Sequence, residues 1–198
     1  MGALSGRVAV VTGGAGGIGL ATVKRLSALG ATCWIWDRTT SAAAEALGPT
    51  RIVDVTNAAD IRAAVDEVVM ASGSLDVMVT AAGIALHGSS LETAPSDWTR
   101  ILDVNASGTF WCAREAARVM SGKGGSIVAI GSISGMVSNT PQAQTAYNAS
   151  KAAVHTMVKC LAVEFAPVGV RVNAVAPGFV DTKLLDGTPP LGNGRNCR

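Results

Sequence analysis

Six short stretches of the chain are continuously apolar rather than alternating: Arg7–Val11, Ala31–Trp36, Arg51–Val55, Leu75–Thr80, Ser126–Ile130 and Val170–Val175. A strand wetted on one face alternates with period two, so unbroken β-branched runs mark strands covered on both faces. The longer stretches between them predict helices at about Gly17–Leu29, Thr40–Leu47, Ala58–Ala71, Ser96–Ser121 and Ala143–Ala166. Strand–helix–strand order repeated in this way calls for right-handed crossovers. The expectation is an α/β fold: a doubly wound parallel sheet of about six strands with helices on both faces. Neither a repeat nor a linker divides this pattern, which predicts one domain over residues 1–183. Residues 184–198 are rich in glycine, proline and asparagine, cannot supply another strand, and are expected to be disordered.

Composition narrows the class. The chain has 198 residues and a formal net charge of +2, with 48% hydrophobic and 15% charged residues. It has no Lys/Arg run that would footprint nucleic acid, and no apolar stretch of the roughly 18 residues a membrane span needs. The start lacks a charged region followed by an apolar one, so export by signal peptide is not expected and the cytoplasm is. Cys33, Cys112, Cys160 and Cys197 lack metal-ligand spacing. They read as reduced thiols, three of them core residues, with no metal site.

Candidate chemistry begins directly after the first strand, with Thr12-Gly13-Gly14-Ala15-Gly16-Gly17-Ile18-Gly19. Glycines at a strand-to-helix turn let backbone approach a pyrophosphate, which the free N–H groups and dipole of the helix then hold. Such a loop alone is often only a turn. Asp37 shifts the balance, because it ends the second strand 18 residues after Gly19, close to the offset of a carboxylate that binds ribose hydroxyls. A 2′-phosphate about 4 Å from that carboxylate would meet repulsion on the order of 4 kcal/mol at an effective dielectric of 20. NAD is therefore expected over NADP, although Arg38 would offset part of the repulsion. Asp54, after the third strand, reads equally as an adenine contact or as a turn cap.

The only tyrosine, Tyr147, lies in Tyr147-Asn148-Ala149-Ser150-Lys151. Positions i and i+4 share a helix face, and a neighbouring ammonium is the kind of field that lowers a phenol's pKa. A lone pair of this kind is common on ordinary helices. The glycine loop, Asp37, Asn105-Ala106-Ser107-Gly108, the Ser132 region, Tyr147 with Lys151, and Pro177-Gly178 together resemble the short-chain dehydrogenase/reductase family. The likeness runs from about Arg7 to Thr182 and implies a Rossmann fold. It implies Tyr147 as general acid/base, with Lys151 lowering its pKa and holding the nicotinamide ribose. Ser132 would position the substrate oxygen, and Asn105 would support a proton-relay water. The cofactor contacts it implies are Gly13, Gly17, Ile18, Gly19, Asp37, Asp54, Val55, Gly83, Asn105, Tyr147, Lys151, Pro177, Gly178, Val180 and Thr182.

The commoner family interval of 13 residues before the tyrosine points to Ser134. Gly135 standing three residues after Ser132 points to Ser132 instead, with Ser134 as fallback or second substrate contact. Two departures stand out. Thr80-Ala81-Ala82-Gly83 lacks the family's asparagine, and the chain stops where relatives continue, so it reads as truncated.

The function implied is hydride transfer between NAD and a secondary alcohol or ketone. The segment from Ser132 through Pro141-Gln142 to Tyr147 resembles polyol and sugar-alcohol dehydrogenases. The competing reading is a catalytically impaired protein that only binds dinucleotide or partner subunits. An epimerase or dehydratase on the same pair is disfavoured by the glycine spacing. The resemblance also implies a homodimer or homotetramer. His87 and His155 lack a carboxylate or cysteine at ligand spacing; His87 reads as a surface-loop residue, and His155, two turns after Tyr147, is assigned to neither site nor solvent. Trp98 and Trp111 read as packing residues and Arg114 and Arg118 as a solvated helix face.

Overall fold

The computed structural model describes residues 2–182 except 139 and 141. The expected residue 184–198 tail lies outside the described residues. Six parallel strands, β1 (Val8–Thr12), β2 (Thr32–Asp37), β3 (Thr50–Ile52), β4 (Val77–Thr80), β5 (Gly125–Ile130) and β6 (Val170–Val175), form one sheet in the order β3-β2-β1-β4-β5-β6. The chain winds outward from β1 in one direction and then from β4 in the other. The carboxyl ends of β1 and β4 therefore flank the point where loops diverge to opposite sides, the place where such sheets bind ligands.

Side-chain alternation explains why the strands read as unbroken apolar runs. Val8 and Val10 of β1, with Trp34 and Trp36 of β2, face one layer; Ala9, Val11, Cys33 and Ile35 face the other. The first layer is covered by α3 (Ala58–Ser72), α5 (Gly108–Met120) and α6 (Thr145–Phe165). Trp36, Met78 and Ile127 are fully buried there, each contributing about 1.5–3 kcal/mol. The second layer is covered by α1 (Gly17–Ala28) and the short α2 (Ala42–Glu45).

Several expectations are corrected. The third strand is shorter than Arg51–Val55, because β3 is an edge paired only to β2 and the chain then turns at Asp54. The single helix expected over Ser96–Ser121 is α4 (Pro95–Leu102), one π-helical turn at Asp103–Ser107, and α5. Cys160 is exposed rather than core, while Cys33 and Cys112 are buried. Trp98 is 40% exposed, not a packing residue. Nor are Arg114 and Arg118 a merely solvated face, since both bind the buried carboxylate of Glu115, and Arg118 also reaches Asp66 of α3. Burial alone would raise the Glu115 carboxyl, but hydrogen bonds and charge from Arg118 and Arg114 outweigh it and hold it below its ordinary value.

Candidate active site

At the β1–α1 turn the loop is shaped by what glycine omits. A Cβ on Gly13 would fall 2.8 Å from Ala82 N, and its φ is +65°. One on Gly19 would fall 2.1 Å from Gly13 O. Gly16, by contrast, faces open space, with nothing within 4 Å of such an atom. Gly17 has φ +51°, and a Cβ there would lie 3.4 Å from Cγ2 of Thr182, so Thr182 lies across the loop. Gly16 also caps α1 with no side-chain hydrogen bond, and the first turn holds no acidic residue. Unclaimed N–H groups at a helix start, beside open glycine, fit a pyrophosphate. Ile18 is the second residue of α1 and partly buried.

Asp37 accepts hydrogen bonds from Ala15 N at 3.1 Å and from Arg38 N at 2.7 Å, which brings its carboxylate against the glycine loop. Asp54 accepts from Thr56 N at 2.9 Å and Thr56 Oγ1 at 2.8 Å, a turn-capping geometry. Those bonds, first from the Thr56 backbone and then from its hydroxyl, hold the Asp54 carboxyl below its ordinary value. Asp54 still lines a cleft of about 580 Å³ with Arg38, Thr56, Arg100 and Asp103. Val55 is not among its lining residues, and it packs against Gly108 at the start of α5.

The other side of the crevice is made of side chains. Asn105 lies within the π-helical turn and is fully buried. Its Oδ1 accepts from Ile84 N at 2.9 Å, and its Nδ2 donates to Ile84 O and to Ser150 Oγ, each at 2.9 Å. One amide thus ties the segment after β4 to α6, and the widened turn is where it departs from regular helix. Where the family's asparagine is missing, Thr12 Oγ1 accepts from Ala82 N at 3.1 Å and anchors the turn that holds Gly83.

Tyr147 and Lys151 lie one turn apart on α6, with Lys151 Nζ 5.8 Å from the phenol ring centroid. Lys151 is buried and donates to Ile130 O at 2.7 Å. Desolvation pulls its pKa down to about 8. Burial raises the Tyr147 phenol, and a hydrogen bond with the Ser132 hydroxyl draws it partly back. The lowered phenol expected from the sequence is therefore not present in the chain alone, because burial outweighs the stabilising bond. Of the two serines it is Ser132 whose hydroxyl acts on the phenol; Ser134 Oγ accepts from Gln144 Nε2 at 3.2 Å. A Cβ on Gly83 would lie 3.3 Å from Asn105 Oδ1 and 3.7 Å from Lys151 Nζ, so Gly83 borders this cluster.

Pro177 O accepts from Ile133 N at 3.0 Å, and Gly178 faces the Ile133 side chain. Val180 is 40% exposed. Sequence reasoning missed His155, which contacts Ser132 O at 2.9 Å. Its position four residues after Lys151 was the available signal. No group of His, Cys, Asp and Glu capable of holding a metal occurs among the described residues.

Comparison with known proteins covers nearly all of this region. Residues 7–190 match the short chain dehydrogenase family. Galactitol 2-dehydrogenase of Rhizobium johnstonii is 42% identical over 192 residues, 92% of this chain and 75% of that protein. The L-tagatose-forming galactitol 2-dehydrogenase of Cereibacter sphaeroides is 43% identical over 189 residues, 91% of this chain and 74% of that protein. Among solved structures, gox2181 superposes with a TM-score of 0.88 at 39% identity, covering 93% of this chain and 76% of that one.

Proposed function

The chain belongs to the short chain dehydrogenase family, and from that premise we propose that it moves hydride between NAD and a secondary hydroxyl of a polyol or sugar alcohol. The observation that carries this reading is the half-buried Tyr147 with Lys151 one turn along the same helix, its Nζ 5.8 Å from the phenol ring centroid, and the Ser132 hydroxyl drawing the phenol partly back down. Tyr147 Oη takes the proton of the alcohol in oxidation and returns it to the carbonyl oxygen in reduction. Ser132 Oγ orients the substrate oxygen toward that phenol. Lys151, held at the edge of the cluster by Ile130 O, hydrogen-bonds the nicotinamide ribose and places positive charge near the phenolate. A bound nicotinamide supplies the hydride acceptor or donor.

The finer points have separate support. The Asp37 carboxylate beside the glycine loop favours the free ribose diol of NAD over a 2′-phosphate. A polyol is supported by the names of the two galactitol 2-dehydrogenases. Free Cys33, Cys112 and Cys160 suit a reducing cytoplasm, and no helix among the described residues is long and apolar enough to cross a membrane. The exposed Trp98 on α4 suits assembly into a homodimer or homotetramer.

The test is NADH formation by the purified chain with a panel of hexitols, pentitols and simple secondary alcohols, with NAD set against NADP. Turnover of polyols with NAD is expected. Dinucleotide binding without turnover of any alcohol would replace this reading with that of a binding protein.

A further inference from the structure

Lys151 and His155 face two successive inward carbonyls of one extended segment. Lys151 Nζ donates to Ile130 O at 2.7 Å, and His155 Nε2 lies 2.9 Å from Ser132 O. The match follows from geometry. Carbonyls two residues apart on an extended chain are separated by roughly 6.6 Å, and helix residues four apart rise by roughly 6.0 Å. The segment stays extended through Ser132, whose φ and ψ are −166° and 150°. Helix and strand therefore keep step for two rungs, one ending on Ile130 and the next on Ser132.

The pocket around the histidine ring is built for it. A Cβ on Gly131 would fall 2.6 Å from His155 Cε1, and one on Gly135 would fall 2.8 Å from His155 Cδ2. The Gly131-Ser132-Ile133-Ser134-Gly135 turn thus closes over the imidazole with a glycine at each end. A carbonyl can only accept, so Nε2 carries the proton, in the neutral ring or the charged one alike. Ser132 O also accepts from Gly135 N at 3.1 Å, so both of its lone pairs are engaged. On the opposite side of the same residue, Ser132 Oγ accepts from Ser134 N at 3.1 Å and meets the Tyr147 phenol.

We propose that His155 is a positioning residue for the reaction, which fixes the Ser132 peptide from below so that the Ser132 hydroxyl is held against the Tyr147 phenol. This rests on the roles of Ser132 and Tyr147 proposed above. A merely structural histidine would stabilise the turn without affecting the phenol; a positioning one acts on it through Ser132. The fit between ring and glycines means that no neighbouring side chain replaces the bond once it is lost.

The experiment compares the wild-type chain with His155→Leu and His155→Gln. The amide Nε2 of glutamine reaches about as far as the imidazole Nε2 and donates as it does. Because Tyr147 is the only tyrosine, carbon-labelled tyrosine gives one ring resonance, whose titration reports this phenol alone. With His155→Leu the phenol is expected to titrate at higher pH than in the wild type, having lost the Ser132 bond; His155→Gln restores it. On turnover, His155→Leu lowers kcat about ten- to a hundredfold with NAD affinity unchanged, and His155→Gln recovers most of it. The proposal falls if His155→Leu titrates as the wild type does, or if His155→Gln is as impaired as His155→Leu. Should His155→Leu fail to fold, the same titration on His155→Gln and on Gly131→Ala decides. Gly131→Ala displaces the ring without changing it, and an unmoved phenol there overturns the proposal. A silent wild-type enzyme would instead fell the polyol reading, while the titration still judges His155.

Discussion

At the β1–α1 turn the polar groups are the uncapped backbone N–H groups of the helix start, among glycines that either press against other backbone, as Gly13 and Gly19 do, or face open space, as Gly16 does. Across the crevice, at the end of β5 and along α6, the polar groups are side chains drawn from distant positions: Asn105, Ser132, Tyr147 and Lys151. The first region is specified by absence of volume and, on the proposed reading, would hold an anion through backbone alone. The second is specified by particular atoms, is buried at Asn105, Ser132 and Lys151, and bears the ionisable groups. Shape should therefore govern one side and chemistry the other, and substitutions can separate the two.

The largest separation comes from a pair of variants. Tyr147→Phe removes one oxygen and is expected to lower kcat about 10²–10⁴-fold while NADH affinity is unchanged. Gly19→Ala adds one methyl, 2.1 Å from Gly13 O, and is expected to cost about 3 kcal/mol of stability and to abolish tight NADH binding. Turnover assays with tryptophan-quenching titrations of NADH read both. Retained turnover in Tyr147→Phe, or normal NADH affinity in Gly19→Ala, would dissolve the contrast.

The next separation is by pH. Burial lowers Lys151 to about 8 from the ordinary 10.5, so the folded chain binds fewer protons than the unfolded one between those values. Stability then rises with pH across that window, as the cost of burying the charge is lifted, by on the order of 3 kcal/mol. Lys151→Met lacks that rise. Denaturant unfolding of both proteins from pH 7.5 to pH 10.5 should give curves that converge or cross, whereas parallel curves would remove the buried ammonium from the account.

The two regions also differed in how far they could be read from the sequence. The glycine loop and Asp37 are local features, within one strand–helix–strand unit, and their spacing carries their meaning. Tyr147 and Lys151 are local too, as an i, i+4 pair. The parallel sheet was legible because both faces of β1 and β2 are covered, which leaves apolar runs unbroken. β3 was misjudged because an edge strand need not be apolar throughout, and its actual span, Thr50–Ile52, is largely exposed. The π-helical turn at Asp103–Ser107 left no mark, since one extra residue barely disturbs a helical period. Arg114 and Arg118 read as a solvated face because their partner, the Glu115 carboxylate, is buried only once both arginines and α3 pack beside it. His155 was hidden for a different reason: its partner is a backbone carbonyl 23 residues away, and every residue has one.

The smallest expected effect concerns the second serine, and it tests how finely the side-chain region is specified. Ser132 and Ser134 are both buried, two residues apart, so neither burial nor spacing separates them. Their partners do. Ser132 Oγ meets the Tyr147 phenol and accepts from Ser134 N, whereas Ser134 Oγ accepts from Gln144 Nε2, which also donates to Asn148 Oδ1 at 3.1 Å. Deleting the Ser134 hydroxyl leaves Gln144 with a second acceptor, so the loss is one neutral bond, about 1 kcal/mol. Ser134→Ala is accordingly expected to change kcat by no more than about fivefold, with any larger effect appearing in KM for the polyol. Ser132→Ala removes a group that acts on the phenol and, on the proposed reading, orients the substrate oxygen, and should lower kcat about a hundredfold. Kinetics of the two alanine variants decide the matter: a spared kcat in Ser132→Ala with a collapsed one in Ser134→Ala would exchange their roles. The working interval to Tyr147 would then be the commoner 13 residues.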